Sequence, residues 1–174
     1  LLFALYALAF LLLPRPAALH AQDEGGERAM KAWLQSQGVP VSDRNRVRLL
    51  TSGQEKFDDL FAAIRHARHH IHLEYFNFRN DSIANALFSL LAEKVKEGVK
   101  VRAMFDAFGN WSNNQPLKER HLKSIRAQGI EIVKCDPITF PWVNHAIHRD
   151  HRKIVVIDGK IGYTGGMNIA DYYI

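Results

Sequence analysis

The order of apolar segments after residue 56 constrains the fold more than any other feature of the sequence. Segments whose apolar residues recur at helical spacing alternate with short segments that have strand-like patterns. The predicted helices cover 57–67, 82–97 and 116–128, and the predicted strands cover 70–76, 99–105 and 130–134. Strands that alternate with helices in this way form a parallel or mixed sheet covered by helices. The sequence therefore predicts an α/β fold.

The end of the chain breaks this alternation. Two apolar runs, Lys153–Ile157 and Lys160–Thr164, are joined by the dipeptide Asp158-Gly159. Asp-Gly favours the two-residue turn that connects antiparallel strands. The sequence therefore predicts a β-hairpin at this position, which would make the sheet mixed.

Shorter patterns predict local structure elsewhere. Asp81 is a good N-cap for the second helix, and Gly98 is expected to end that helix. The remaining predictions are a helix at Glu27–Gln37 that Gly38 ends, a strand at Arg46–Leu50 and a polar loop at Asp106–Gln115.

The first part of the chain is uniformly apolar, from Leu1 to Leu13, and Pro14 closes the run. The run is shorter than the roughly 20 residues that a helix needs to span a bilayer. It fits the apolar region of a secretory signal peptide with Ala21 before the cleavage site, and the tail of a transmembrane helix is the alternative. A core helix fits less well because the run is apolar on all faces. We therefore expect a signal peptide or membrane anchor at 1–21, and a location in the cell membrane or envelope.

Composition narrows the class of function only slightly. The formal net charge is +5 and the pI is about 9.4, which suits anionic partners such as nucleic acid, lipid headgroups or a phosphate substrate without choosing among them. Cys135 is the one cysteine, so the chain can form neither an intramolecular disulfide nor a cluster of thiolate metal ligands.

A group of polar residues around the predicted hairpin indicates chemistry on a phosphate. His151 and Lys153 are two positions apart, so on a strand they would face the same side. Histidine can act as a nucleophile or a proton donor near neutral pH. Lysine supplies a positive charge for the non-bridging oxygens of a phosphate group. We therefore expect these two side chains to share one site.

The residues that follow fit the same site. A carboxylate such as Asp158 can hold an imidazole in one tautomer and stabilise its charged form. Gly165 and Gly166 allow the backbone to approach a ligand closely, and Asn168 can donate a hydrogen bond to a phosphate oxygen. Taken singly, Asp158 could belong only to a hairpin turn and His151 could be an ordinary strand histidine. The complete set favours a functional site.

The spacing of this set resembles the motif of the phospholipase D superfamily. That motif is His-x-Lys, four residues, Asp, six residues and Gly-Gly or Gly-Ser, and it is often called the HKD motif. The amino-acid sequences of segments 151–159 and 162–168, and of His70–Phe76 upstream, are similar to those of bacterial cardiolipin synthases. The resemblance covers roughly 47–174.

The resemblance implies a fold, a domain organisation and a location. The expected fold is a mixed β-sheet flanked by helices, an α/β/α sandwich that forms one domain of a two-domain enzyme. We expect a signal peptide or anchor at 1–21, a linker with a short helix at 22–45, and a catalytic domain at 46–174 that is truncated at its C-terminus. The expected location is the bacterial cell membrane or envelope.

The resemblance also implies a reaction. A phosphatidyltransferase of this type forms cardiolipin and glycerol from two molecules of phosphatidylglycerol through a phosphohistidine. One motif histidine attacks the phosphodiester and a second protonates the leaving alcohol. His151, Lys153 and Asp158 would be catalytic, and Lys153, Gly165, Gly166 and Asn168 would bind the substrate phosphate. Glu74 is a further candidate, although it could equally be a charged residue at a strand edge.

The expected partners are a phospholipid substrate, a membrane and a second copy of the motif. That copy would come from a missing C-terminal part or from homodimerisation, so this chain alone is expected to be inactive. The alternatives are a nuclease or phosphodiesterase of the same superfamily and an inactive half-enzyme or membrane-associated binding domain. Two features argue against a nucleic-acid partner: the apolar N-terminus, and the closer similarity of the motif sequence to the synthases.

Neither a metal nor a cofactor is expected. His145, His148 and His151 are three residues apart, a spacing that gathers side chains on a helix but not on a strand. The resemblance also implies chemistry that needs no metal. The segments Asp106–Gln115 and Phe140–Val143 flank the motif strands, where they could line a lipid entrance or cover the core, and Trp142 is assigned to the core.

Overall fold

The computed structural model describes residues 24–42, 44–139 and 147–174. The chain divides into two units, residues 1–48 and 49–174. The first unit contains helix α1 (Glu24–Ser36), which confirms the predicted short helix. The predicted strand at Arg46–Leu50 is wrong, because this segment pairs with no strand and Val47 is 91% exposed. Five residues are too few for an alternating pattern to separate a strand from an extended, exposed segment.

The second unit contains the remaining helices and all the strands of the described residues. They are α2 (Gly53–His66), β1 (His70–Tyr75), α3 (Ser82–Lys96), β2 (Lys100–Asp106), α4 (Ala107–Ser112), α5 (Glu119–Ala127), β3 (Glu131–Cys135), β4 (Ile154–Ile157), β5 (Ile161–Thr164) and a final 3-10 turn at Asp171–Tyr173. Within the described part of the chain, every helix is too short or too polar to cross a membrane. The predicted signal peptide or anchor at 1–21 lies outside the described residues.

The strands form one mixed sheet in the order β3-β2-β1-β4-β5. Strands β1, β2 and β3 are parallel, whereas β4 runs antiparallel to both β1 and β5. This mixed sheet flanked by helices confirms the predicted fold class. The register pairs Glu74 with Ile154 and Ile71 with Ile157, so β4 begins beside the carboxyl end of β1 and ends beside its amino end.

The core of the second unit lies between the helices of that unit and one face of the sheet. Alternate residues of β1, among them Ile71 and Leu73, are buried against apolar residues of α2 and α3 such as Leu60 and Leu87. The other face of the sheet carries half-exposed or exposed side chains in the described residues. These residues, which include His72, Glu74, Arg102, Met104 and Ile154, line a depression of about 450 Å³.

Several predicted element ends are confirmed. The Asp81 carboxylate caps α3 by accepting a hydrogen bond from the Ala84 N–H at 3.3 Å, and Gly98 follows that helix with φ +90°. The predicted hairpin joins β4 and β5, and both turn residues have positive φ, 53° at Asp158 and 65° at Gly159. Positive φ at both positions is what a type I′ turn requires.

Two predicted boundaries are wrong. The polar loop predicted at Asp106–Gln115 contains helix α4, which the Asp106 side chain caps. A helix of six residues is too short to show helical periodicity in the sequence. The helix predicted from Pro116 begins three residues later, at Glu119, because Pro116 instead forms an isolated bridge with Arg79.

Candidate active site

His151 and Lys153 meet around one aromatic ring. The centroids of the His151 and Phe76 rings are 4.6 Å apart, and the Lys153 Nζ lies 5.3 Å from the centroid of the same Phe76 ring. Both residues precede β4, so the strand geometry that predicted their proximity does not apply. The structure brings them together through a shared contact with Phe76, which directly follows β1.

The two side chains have different surroundings. His151 is exposed, whereas Lys153 is only 5% exposed. The Lys153 ammonium donates a hydrogen bond of 2.7 Å to the His151 carbonyl oxygen. Burial lowers the pKa of Lys153, and the nearby Asp150 charge partly opposes this shift. An exposed imidazole therefore lies beside a largely enclosed cation.

Glu74 lies beside this pair. Its Oε1 accepts a hydrogen bond from the Arg152 Nη1 at 3.1 Å, and it lines the same depression of about 690 Å³ as His151. Burial raises the pKa of Glu74, as do the hydrogen bond and charge of Asp150, and Arg152 opposes them. The structure therefore places Glu74 at the edge of the site, where it is paired with Arg152.

Asp158 lies at the opposite end of β4. Its carboxylate accepts hydrogen bonds from the backbone N–H groups of Arg68, His69 and His70 at 2.8 to 2.9 Å. These donors, with that of His70 first, lower the pKa of Asp158 to about 2. A strand rises about 3.3 Å per residue, and the whole of β1 separates His70 from Phe76. The structure therefore does not bring Asp158 to the His151 imidazole, and its carboxylate anchors the hairpin turn instead.

The two glycines lie at the His151 end of the sheet. They follow β5, whose last residue Thr164 pairs with Ile154 at the start of β4. Both are exposed, and a Cβ built at Gly165 or Gly166 would meet no atom within 4 Å. Packing within the described residues therefore leaves open space above this backbone, where a ligand could approach.

Asn168 is buried at the same edge. Its Oδ1 accepts a weak hydrogen bond of 3.4 Å from the N–H of Asn77, the residue that follows Phe76. Its carbonyl oxygen accepts one from the Lys56 Nζ at 3.2 Å. Burial lowers the pKa of Lys56 to about 8. The buried ammonium of Lys56, which sequence reasoning missed, therefore ties the segment after the glycines to α2.

Sequence reasoning also missed Phe76, Asp106 and Arg149 as members of this site. Asp106 ends β2, and its Oδ1 lies 2.6 Å from the Arg149 Nη2. The available signal was positional, since ligands of open α/β sheets bind outside the carboxyl ends of the strands. A polar residue at the end of a buried parallel strand was therefore a candidate.

The described residues contain one group that could surround a metal ion. Asp106, Cys135 and Asp136 have potential ligand atoms within 4.8 Å of one another. Burial raises the pKa of the Cys135 thiol to about 11, so this group is protonated at neutral pH. The Asp106 carboxylate is already paired with Arg149. These three residues are therefore poorly suited to binding a cation. Of the three spaced histidines, His145 lies outside the described residues, as does the segment 140–143 with Trp142.

Comparison with known proteins shows the family to which this chain is similar. Residues 60–172 match the family described as "Cardiolipin synthase, PLD-like domain". The cardiolipin synthase of Geobacillus kaustophilus (strain HTA426) is 42% identical over 136 residues, which cover 78% of this chain and 26% of that protein. The chain thus spans about a quarter of the length of that curated relative.

Two solved structures share the fold. One is a phospholipase D family member, Nuc, from Salmonella typhimurium, with a TM-score of 0.50, 21% identity and coverage of 67% of this chain and 66% of that one. The other is NucT from Helicobacter pylori, with a TM-score of 0.52, 15% identity and coverage of 69% and 70%. At these identities the likeness shows the fold alone. With the family match over 60–172, it follows that the chain belongs to the phospholipase D-like family of cardiolipin synthase domains.

Proposed function

We propose that the protein is a phosphatidyltransferase that forms cardiolipin and glycerol from two molecules of phosphatidylglycerol. The observation that carries the proposal is the meeting of His151 and Lys153 around Phe76, in a chain 42% identical to a cardiolipin synthase. An exposed imidazole beside a cation suits attack on an anionic phosphodiester.

His151 acts as one of two active-site histidines. In the first step a histidine attacks phosphorus, the bond to the leaving glycerol oxygen breaks, and a phosphohistidine forms. The second histidine donates the proton that the leaving glycerol needs, and then accepts a proton from the incoming alcohol. The hydroxyl of a second phosphatidylglycerol attacks the phosphohistidine, which releases cardiolipin and the free imidazole. The resemblance assigns the nucleophilic role to the first-motif histidine, His151.

The phosphate is held by Lys153 and by the segment that contains Gly165, Gly166 and Asn168. One of the three Lys153 donors is used by the His151 carbonyl, which leaves others for phosphate oxygens. The open space at the two glycines gives the phosphate a path to backbone N–H groups. Asp158 anchors the hairpin turn at the far end of β4, away from the phosphate, and Glu74 holds Arg152 at the rim of the site.

The site is completed by a second motif. Because this chain spans about a quarter of its curated relative, we assign that motif to a further part of the protein, with homodimerisation as the alternative. This chain alone is then inactive, since one histidine cannot be nucleophile and acid at the same moment. The domain assignment is an anchor or signal peptide at 1–21, a linker at 22–45 and a catalytic domain from 46 onward, with the protein at the bacterial membrane or envelope.

The test is an assay on the full-length protein with vesicles that contain phosphatidylglycerol. We expect cardiolipin to form, and acid-quenched mass spectrometry to show a phosphatidyl group on a histidine. The His151→Ala variant is expected to show neither. The basic net charge of +5 also permits a nuclease of the same superfamily, so DNA is offered in parallel. DNA cleavage without cardiolipin would contradict the proposal and support the nuclease.

A further inference from the structure

The Asp106 carboxylate is fully enclosed at the carboxyl end of β2. Its exposed fraction is 0%, and its Oδ1 accepts hydrogen bonds from the N–H groups of Phe108 and Gly109 at 2.8 and 2.9 Å. These bonds cap α4. Asparagine or serine would cap a helix as well without the cost of burying a charge. The cap alone therefore does not explain a buried carboxylate at this position.

A second set of bonds reaches the segment just before His151. The Arg149 Nε and Nη2 donate to the Asp106 Oδ1 at 3.1 and 2.6 Å, and the Asp150 N–H donates to the Asp106 Oδ2 at 2.9 Å. Burial raises the pKa of Asp106, but Arg149 and the backbone donors outweigh it and hold the pKa below its ordinary value. The carboxylate therefore stays charged and paired at neutral pH.

Arg149 extends these bonds to a neighbouring strand. Its Nη2 also donates to the Asp136 carbonyl oxygen at 2.8 Å, just after β3, and its side chain is only 12% exposed. We call this group, formed by Asp106, Arg149, the Asp150 N–H and the Asp136 carbonyl, the Asp106 clasp. It joins the segment before His151 to the carboxyl ends of two adjacent parallel strands.

The His151 imidazole has little other support. Among the described residues its side chain forms no hydrogen bond, and its ring contact is with Phe76. The position of the imidazole therefore depends on its backbone. That backbone is held on one side at Asp150 by the clasp and on the other by the bond from Lys153 to the His151 carbonyl.

We propose that Asp106 is a positioning residue for His151, which it holds through the Arg149 guanidinium and the Asp150 N–H. The inference rests on the proposed role of His151 in phosphoryl transfer. A displacement of about 1 Å of a reacting group can cost about 100-fold in rate. Because neither Asp106 nor Arg149 is assigned to the phosphate, loss of the clasp lowers kcat and leaves KM nearly unchanged.

Two variants break the clasp in different ways, and a third is a matched control. Asp106→Asn keeps the shape and the helix cap but removes the charge, whereas Arg149→Gln leaves Asp106 and its cap in place. Asp81→Asn is the control, because Asp81 also caps a helix, has a side chain only 6% exposed and accepts a distant backbone N–H, that of Asp171, at 2.8 Å. It does not contact the segment before His151.

Each full-length variant is measured in two ways. Hydrogen–deuterium exchange by mass spectrometry follows peptides that cover 148–153, and kcat and KM are measured with bis(4-nitrophenyl) phosphate and with phosphatidylglycerol vesicles. For both clasp variants we expect exchange at least about tenfold faster, kcat lower by roughly 10 to 100-fold and KM within about threefold. The double variant should lose no more than the worse single variant, and Asp81→Asn should change neither quantity.

Three results would overturn the role of Asp106. The first is that exchange at 148–153 is unchanged in both clasp variants. The second is that exchange is faster in the clasp variants but kcat is unchanged. The third is that Asp81→Asn loses as much kcat as the clasp variants do. A wild-type protein that cleaves the small diester without forming cardiolipin would overturn the proposed substrate, while the exchange and kcat comparisons would still decide the role of Asp106. A wild type inactive on both substrates would overturn both proposals.

Discussion

The two ends of β4 carry the two halves of one sequence motif, and they are built differently. At the end of the strand, Asp158 sits in a tight turn and binds three backbone N–H groups. At the start, His151 is exposed in an irregular segment, its ring contacts Phe76, and the neighbouring Asp150 N–H donates to Asp106. The comparison teaches that a short motif can combine a structural anchor with a chemical group about one strand length away.

The strongest test of this comparison is His151→Ala. We expect cardiolipin formation by the full-length protein to fall by roughly 10⁴-fold or more, as when a catalytic nucleophile is removed. An exposed side chain contributes little to packing, so the free energy of unfolding should change by less than about 0.5 kcal/mol. Circular dichroism and the vesicle assay measure both. Activity within tenfold of wild type would mean that His151 is structural.

The next effect in size is that of Lys153→Ala. Loss of one electrostatic donor to the phosphate should lower turnover by roughly 100 to 1,000-fold, with vesicle binding unchanged. Lys160→Ala, an exposed lysine at the other end of the hairpin, is the matched control and should change neither. If Lys153→Ala weakened vesicle binding and left turnover per bound enzyme intact, Lys153 would be a surface anchor.

The opposite end of β4 should respond in stability. We expect Asp158→Ala to lower the free energy of unfolding by about 1 to 2 kcal/mol, because three backbone donors lose a charged acceptor. Turnover of the folded protein should stay within about threefold of wild type, since the carboxylate is remote from His151. Urea unfolding and activity at matched folded fractions measure the two effects. A loss of turnover as large as that of Lys153→Ala would show that both ends serve catalysis.

The smallest effect is the pH dependence that Asp158 adds. Its pKa of about 2 in the folded protein lies below the ordinary value of 3.8. The stabilisation is therefore complete above about pH 4, and it is lost as the pH falls toward 2. The difference in unfolding free energy between wild type and Asp158→Asn should shrink between pH 5 and pH 2.5. A constant difference across that range would exclude the three charged hydrogen bonds as its source.

The sequence predicted the parts of the fold that depend on local patterns. The cap at Asp81, the helix end at Gly98 and the turn at Asp158-Gly159 follow from the backbone preferences of single residues, and all three are confirmed. Helix α4 was missed because six residues are too few to show the helical periodicity of apolar residues. The strand at Arg46–Leu50 was predicted wrongly because alternation in so short a segment does not establish burial.

What the sequence determined by itself was the alternation that makes an α/β sheet and the motif that identifies the family. Only the tertiary structure decided which residues of that motif meet. His151 and Lys153 lie together because both contact Phe76, whereas Asp158 lies at the other end of a strand. Strand order and register bring together residues far apart in the chain, such as Asp106 and Arg149. Since local periodicity carries no information about that register, the clasp could be found only in three dimensions.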